Sequence, residues 1–162
     1  MKSTKKNIMI LSVVGFASLS ILFSGCSRTA TTGFQKDPIY AQNLQYTKVG
    51  KIVKNNEVEF LVNVTYLNSA DSSKWNNDRQ NFLVGTYITN KDDTTYEATV
   101  DNLEPLLIED IDKDDNMYQH IALLNKWADY KILSFSDNNT TNVVLRYSSS
   151  NDNNVSLSFI KE

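Results

Sequence analysis

The chain reads as all-β, an antiparallel sandwich of about seven short strands. Three observations predict this. Turn-forming residues punctuate the sequence roughly every ten residues after position 44. The runs between them alternate apolar and polar residues and are rich in β-branched and aromatic side chains, as in Val58-Glu59-Phe60-Leu61-Val62-Asn63-Val64. One segment at most has helical spacing, so the strand–helix alternation of a parallel sheet is missing.

The elements follow in order. Leu44 to Lys54 is an expected strand, and Asn55-Asn56 then separates it from a second run, Glu57 to Leu67. Asn tolerates the left-handed backbone of a two-residue turn, so this pair predicts a hairpin. In the second run Val58, Phe60, Val62, Val64 and Tyr66 fall on one face, with Glu59, Asn63 and Thr65 on the other. A polar loop, Asn68 to Gln80, leads to an expected strand at Phe82 to Thr89. A turn at Asn90-Lys91-Asp92-Asp93 is expected to fold Thr94 to Val100 back on it as its hairpin partner.

Pro105 interrupts the pattern, Leu106 to Ile108 is very short for a strand, and an acidic loop follows from Glu109 to Asp115. Met117, Ile121, Leu124 and Ala128 recur at helical spacing, which predicts a short helix near 117–127. Strands are then expected at Lys131 to Phe135, Asn142 to Tyr147 and Val155 to Ile160. The layout over residues 44–162 resembles the small immunoglobulin-like domains of many bacterial lipoproteins. That resemblance lies in topology; the cysteine pair of antibody domains is absent, and Trp127 is the candidate for the buried-Trp role.

The start of the chain is an address. Lys2, Lys5 and Lys6 precede an apolar run, Ile8 to Phe23, which ends in Ser24-Gly25. That order is the grammar of a signal peptide, and the run is shorter than the ~20 apolar residues of a membrane span. The only cysteine follows at once. Leu22-Phe23-Ser24-Gly25-Cys26 resembles the lipobox of bacterial lipoproteins, with Phe23 where Leu is usual. The resemblance implies cleavage after Gly25, a diacylglycerol on the Cys26 sulfur and an acylated new amino group. A covalent lipid on Cys26 is the only cofactor expected. Because Ser27, not Asp, follows the anchor, the resemblance favours the outer membrane.

Removing residues 1–25 leaves 137 of the 162 residues, the size of one domain, and losing three lysines moves the formal charge from −3 to −6. An acidic chain gains nothing from phosphate backbones, which argues against nucleic acid as a partner. Residues 26–43 read as the lipidated cysteine and a flexible tether, although Phe34, Ile39 and Tyr40 could equally dock as a first short strand.

Several residues carry candidate chemistry. Asp110, Asp112 and Asp114 have the first three ligand spacings of a calcium-binding loop. Asp115 and Ile121, however, stand where that loop needs Gly and Glu, so a solvated acidic turn is expected. His120 is the only histidine, and neither a triad nor a multi-histidine metal site can be built on it. The acids cluster locally without an aromatic subsite, and a glycosidase reading trails.

In the 68–80 loop, Trp75 and Arg79 are the residue types that dominate protein interfaces, although an exposed Trp is costly and folding back over the sandwich edge is favoured for Trp75. Asn139 and Asn154 head Asn-x-Ser/Thr sequons. The expectation is a non-enzymatic, membrane-anchored binding module that contacts another envelope protein, a host protein or a glycan. The alternative is a periplasmic assembly factor.

Overall fold

The computed structural model describes residues 37–89, 95–150 and 153–161. The expected signal peptide, the Gly25–Cys26 cleavage and lipidation site and Phe34 lie outside them, as does the Asn90–Asp93 turn. Among the described residues eight strands form two antiparallel sheets. The strands are β1 (Thr47–Lys54), β2 (Glu57–Tyr66), β3 (Arg79–Ile88), β4 (Tyr96–Val100), β5 (Leu107–Asp110), β6 (Asp129–Ser136), β7 (Asn142–Ser149) and β8 (Asn154–Ile160). One sheet has the order β1-β2-β3-β6-β5 and the other β4-β7-β8.

The expected hairpin at Asn55-Asn56 forms as read. Both asparagines take positive φ, 52° and 65°, and Lys54 pairs with Glu57 across the turn. The alternation in β2 holds from Phe60 onward: Phe60, Val62, Val64 and Tyr66 are fully buried, whereas Val58, expected on the same face, is exposed beside the turn. They meet Phe82, Val84, Leu133 and Phe135 of their own sheet and Val143, Leu145, Leu157 and Phe159 of the other in one core between the sheets. Each such side chain contributes about 1.5–3 kcal/mol by leaving water.

The opposite face of the larger sheet is covered as well. Leu83, Tyr130 and Ile132 on that face pack with Leu67, Ile111 and Ile121 from the connecting segments. This second layer explains why Asn63, Thr65 and Asn81 are buried although polar, whereas Gln80 shares the face of Phe82 and Val84 and is buried between the sheets, where it accepts from the Tyr66 hydroxyl. Burial requires partners, and they have them. The Asn63 side chain donates to the Leu123 carbonyl at 2.8 Å, and Ser134 Oγ donates to Asn81 Oδ1 at 2.7 Å. Gly85 makes room for the layer: a Cβ there would stand 2.2 Å from Cε1 of Tyr130, its cross-strand partner.

Five expectations change. Ile39 and Tyr40 belong to a helix, α1 (Pro38–Gln45), rather than to a strand or a coil. Asp37 caps it by accepting from the Tyr40 N–H at 2.9 Å, and Pro38 sits where its missing N–H costs nothing. The 68–80 loop contains two single turns of helix, α2 (Leu67–Ala70) and α3 (Ser72–Trp75).

β4 does not fold back on β3; it crosses to the other sheet and pairs with β7. A period of two fixes which face is buried but is silent on the partner strand. Finally, the helix expected near 117–127 is only a 3₁₀ turn, Asn116–His120. Its Ile121 is buried, but Leu124 is exposed and Leu123 has φ of 56°, which ends helical geometry. Trp127 is 79 % exposed and therefore does not fill the buried-Trp role.

Candidate functional site

The two long sides of the sandwich differ. On one, β1 leans on β8: Gly50 approaches Val155 and Leu157 so closely that a Cβ would stand 2.6 Å from Val155 Cγ2. Lys48 donates to the Ser158 carbonyl and lies over the Phe159 ring, 5.4 Å from its centroid. On the other side β4 and β5 are both edge strands, and the space between them opens as a cleft of about 380 Å³. That volume falls within the range of small-ligand pockets.

The cleft reaches the sandwich interior. Its walls include Phe60, Val84 and Leu133 from the larger sheet and Tyr147 from the smaller; Ile108, Pro105, Tyr96 and Ala98 stand along the two edges. Phe60 stacks on Tyr96 at 4.1 Å and 18° and meets Tyr147 at 5.4 Å, so an aromatic cluster stands among otherwise aliphatic walls. The edge continues as an apolar lip, because Leu103, Leu106, Leu107 and Ile108 are all exposed.

The polar groups are few and mostly acidic. Glu97 and Glu104 line the cleft, and the Lys131 ammonium there is matched by Asp110 Oδ1 at 2.7 Å. Among the described residues the Tyr96 hydroxyl and Glu59 Oε2 are buried without a hydrogen-bond partner. Burial, and then the Glu59 charge, pushes the Tyr96 phenol up, and burial does the same to Tyr147.

β5 is an open edge in its backbone too. The Ile111 N–H donates to the Tyr130 carbonyl on β6 at 2.9 Å. Antiparallel alternation then turns the N–H and C=O groups of Ile108 and Asp110 outward, away from β6.

The residues singled out from sequence stand elsewhere, apart from Asp110. Trp75 is half-buried against the outer layer with Lys74 over its ring at 5.2 Å, whereas Arg79 is exposed at the start of β3. The Trp75 backbone is stapled down, its carbonyl accepting from Asn68 Nδ2 at 2.8 Å. Asp110 is in β5, paired with Lys131; Asp112 and Asp114 are exposed in the following turn, where the Asp112 carbonyl accepts from the Asp115 N–H. No group of three or more metal-ligating side chains occurs among the described residues.

His120 Nδ1 donates at 3.1 Å to Asp37 Oδ2, at the start of α1. The Asp37 carboxyl is held below the ordinary range, chiefly by the Tyr40 N–H and then by His120, with burial acting against them. Asn139, exposed with φ of 55°, and Asn154, exposed at the start of β8, are the two sequon asparagines.

Sequence reasoning missed the cleft because its walls come from six strands whose residues are far apart in the chain. The one local signal was Leu106-Leu107-Ile108, three apolar residues with no polar alternation beside a proline. No family of proteins, no curated protein and no solved structure matches the chain.

Proposed function

We propose that the chain is a lipid-anchored, non-enzymatic binding module of the bacterial cell envelope, immunoglobulin-like in topology, which takes an apolar group of its partner into the cleft between β4 and β5. The cleft carries the reading. It is a concave space at an open sandwich edge, walled by aliphatic side chains and an aromatic cluster, with an apolar lip and an acidic rim. Such a site suits an aliphatic or aromatic side chain offered by a neutral or cationic partner.

Two further points support the reading. With β1 set aside, the strand order β2-β3-β6-β5 over β4-β7-β8 coincides with the order of constant-type immunoglobulin sandwiches. The lipobox-like stretch ending at Cys26 supplies the anchor, cleavage falling after Gly25, and Ser27 favours the outer membrane.

The test is photo-crosslinking in living cells, with a reactive group at Ile108 in the cleft wall and, as a control, at Val49 on the opposite edge. Discrete adducts from position 108 that are absent from position 49 are expected. Identical patterns from the two positions would remove the cleft as the binding site. Protease treatment of intact cells then assigns the face: cleavage places the module on the surface, and protection places it in the periplasm.

A further inference from the structure

The segment from Ile121 to Ala128 (IALLNKWA) presents large apolar side chains to water in a way its surroundings enforce. Ile121 and Ala122 are buried, but Leu123 is 44 %, Leu124 41 % and Trp127 79 % exposed. Leu123 is held in the left-handed backbone region, a costly place for a leucine.

Three hydrogen bonds fix the shape. Asn63 Nδ2 donates to the Leu123 carbonyl at 2.8 Å, the Asn125 N–H donates to the Tyr130 hydroxyl at 2.8 Å, and the Trp127 N–H donates to Asn125 Oδ1 at 3.1 Å. The loop is therefore built to expose its leucines and tryptophan. Its one charged residue is the exposed Lys126.

The loop lies where the chain enters the domain. Asp37, the first described residue, contacts His120 at 3.1 Å, and Asn43 Nδ2 donates to the His120 carbonyl at 2.9 Å. His120 directly precedes the loop. Ile39, two residues past Asp37, is a further exposed apolar side chain, 48 % accessible. Residues 27–36 separate Asp37 from Cys26, so a lipid on Cys26 lies within about 40 Å of this corner even with the chain fully extended.

We infer that Leu123, Leu124 and Trp127 insert into the lipid surface that holds the Cys26 anchor, seating the domain on the membrane by this corner. The inference rests on the anchor reading above. Its chemistry is that of an interfacial contact: leucines in the acyl boundary, the amphipathic indole at headgroup depth, and the Lys126 ammonium reaching up to phosphate. An acidic chain has no broad basic face to lie on a bilayer, so a compact apolar contact beside the tether is the means left to it.

The test reconstitutes the protein, purified from its own membranes, into vesicles of phosphatidylethanolamine and phosphatidylglycerol whose acyl chains carry bromine. A Trp75→Phe background leaves Trp127 as the only indole. Trp127 emission is expected to shift to the blue and to be quenched. Both effects should disappear in Leu123→Ser/Leu124→Ser protein, which still sediments with the vesicles.

In Cys26→Ser protein, vesicle partitioning should fall about tenfold when Trp127 is also replaced by Ala. Protein that sediments while its Trp127 stays unquenched overturns the inference and leaves the anchor standing. Protein that does not sediment at all overturns both.

Discussion

The two sides of this sandwich solve the same problem in opposite ways. Along β1 and β8 a glycine lets the sheets approach, and Lys48 ties the strands together across the seam. Along β4 and β5 nothing comparable among the described residues closes the gap, and the apolar interior shows through it. One side spends its sequence on cohesion, the other leaves apolar surface free. Substitutions at the seam should therefore be costly to stability and silent in binding, and substitutions at the mouth the reverse.

The largest effect is expected at Phe159, 3 % exposed and packed on Tyr66 and Phe82 beside the seam. Phe159→Ala should cost about 3–5 kcal/mol in denaturant unfolding. Gly50→Val comes next, because its Cβ meets Val155 Cγ2 at 2.6 Å and Val62 Cγ1 at 3.2 Å. Overpacking of that kind should cost about 1–3 kcal/mol by the same measurement. At the mouth, Ala98→Leu adds volume where space exists, so stability should change by under about 1 kcal/mol in either direction. The crosslinks from Ile108 should nevertheless vanish. If Ala98→Leu destabilised as much as Gly50→Val, the contrast between the two sides would be lost.

The pH dependence is smaller and has two limbs. Burial, with a lesser push from the Asp137 charge, raises the Tyr66 phenol to about 12. The unfolded chain ionises this group first, near pH 10, so stability should fall between about pH 10 and 12, and Tyr66→Phe should lessen that fall, which the buried phenols of Tyr147, Tyr130 and Tyr96 share, in a pH series of melting curves.

In acid the sign reverses. Lys161 holds the Asp137 carboxyl below the ordinary range, assisted by the Asn139 N–H and Gln80 and opposed by burial. Its contribution is complete above the unfolded value near 4 and is lost as pH falls through the lower folded value. Asp137→Asn should remove that dependence. Unaltered acid melting of the variant would show that the cluster around Lys161 adds nothing.

Much of the fold was legible where pattern and burial agree. The β2 alternation from Phe60 to Tyr66 and the Asn55-Asn56 turn each depend on neighbours in sequence, and both appear as read, while Val58 at the strand's start is exposed. The pairing of β4 was not legible, because alternation marks a face and not a partner. Nor was the outer layer: Asn63 and Thr65 look like solvent-facing residues until Ile111, Ile121 and Tyr130 are seen to cover that side. Trp127 misled for a related reason. Its size argued for the core, but the Asn125 side chain and the left-handed Leu123 hold its loop outward. The cleft was the least legible feature, since Phe60, Tyr96, Leu133 and Tyr147 meet only through tertiary pairing.

The difference between the two sides can be measured directly by titrating methyl-labelled protein with a small apolar probe such as hexanol and following the methyl spectrum. Shifts should concentrate on Ile108, Ala98, Val84 and Leu133, while Val62, Val155 and Leu157 at the seam stay in place. Uniform small shifts, or a response centred on the β1–β8 side, would contradict an open, ligand-ready mouth between β4 and β5.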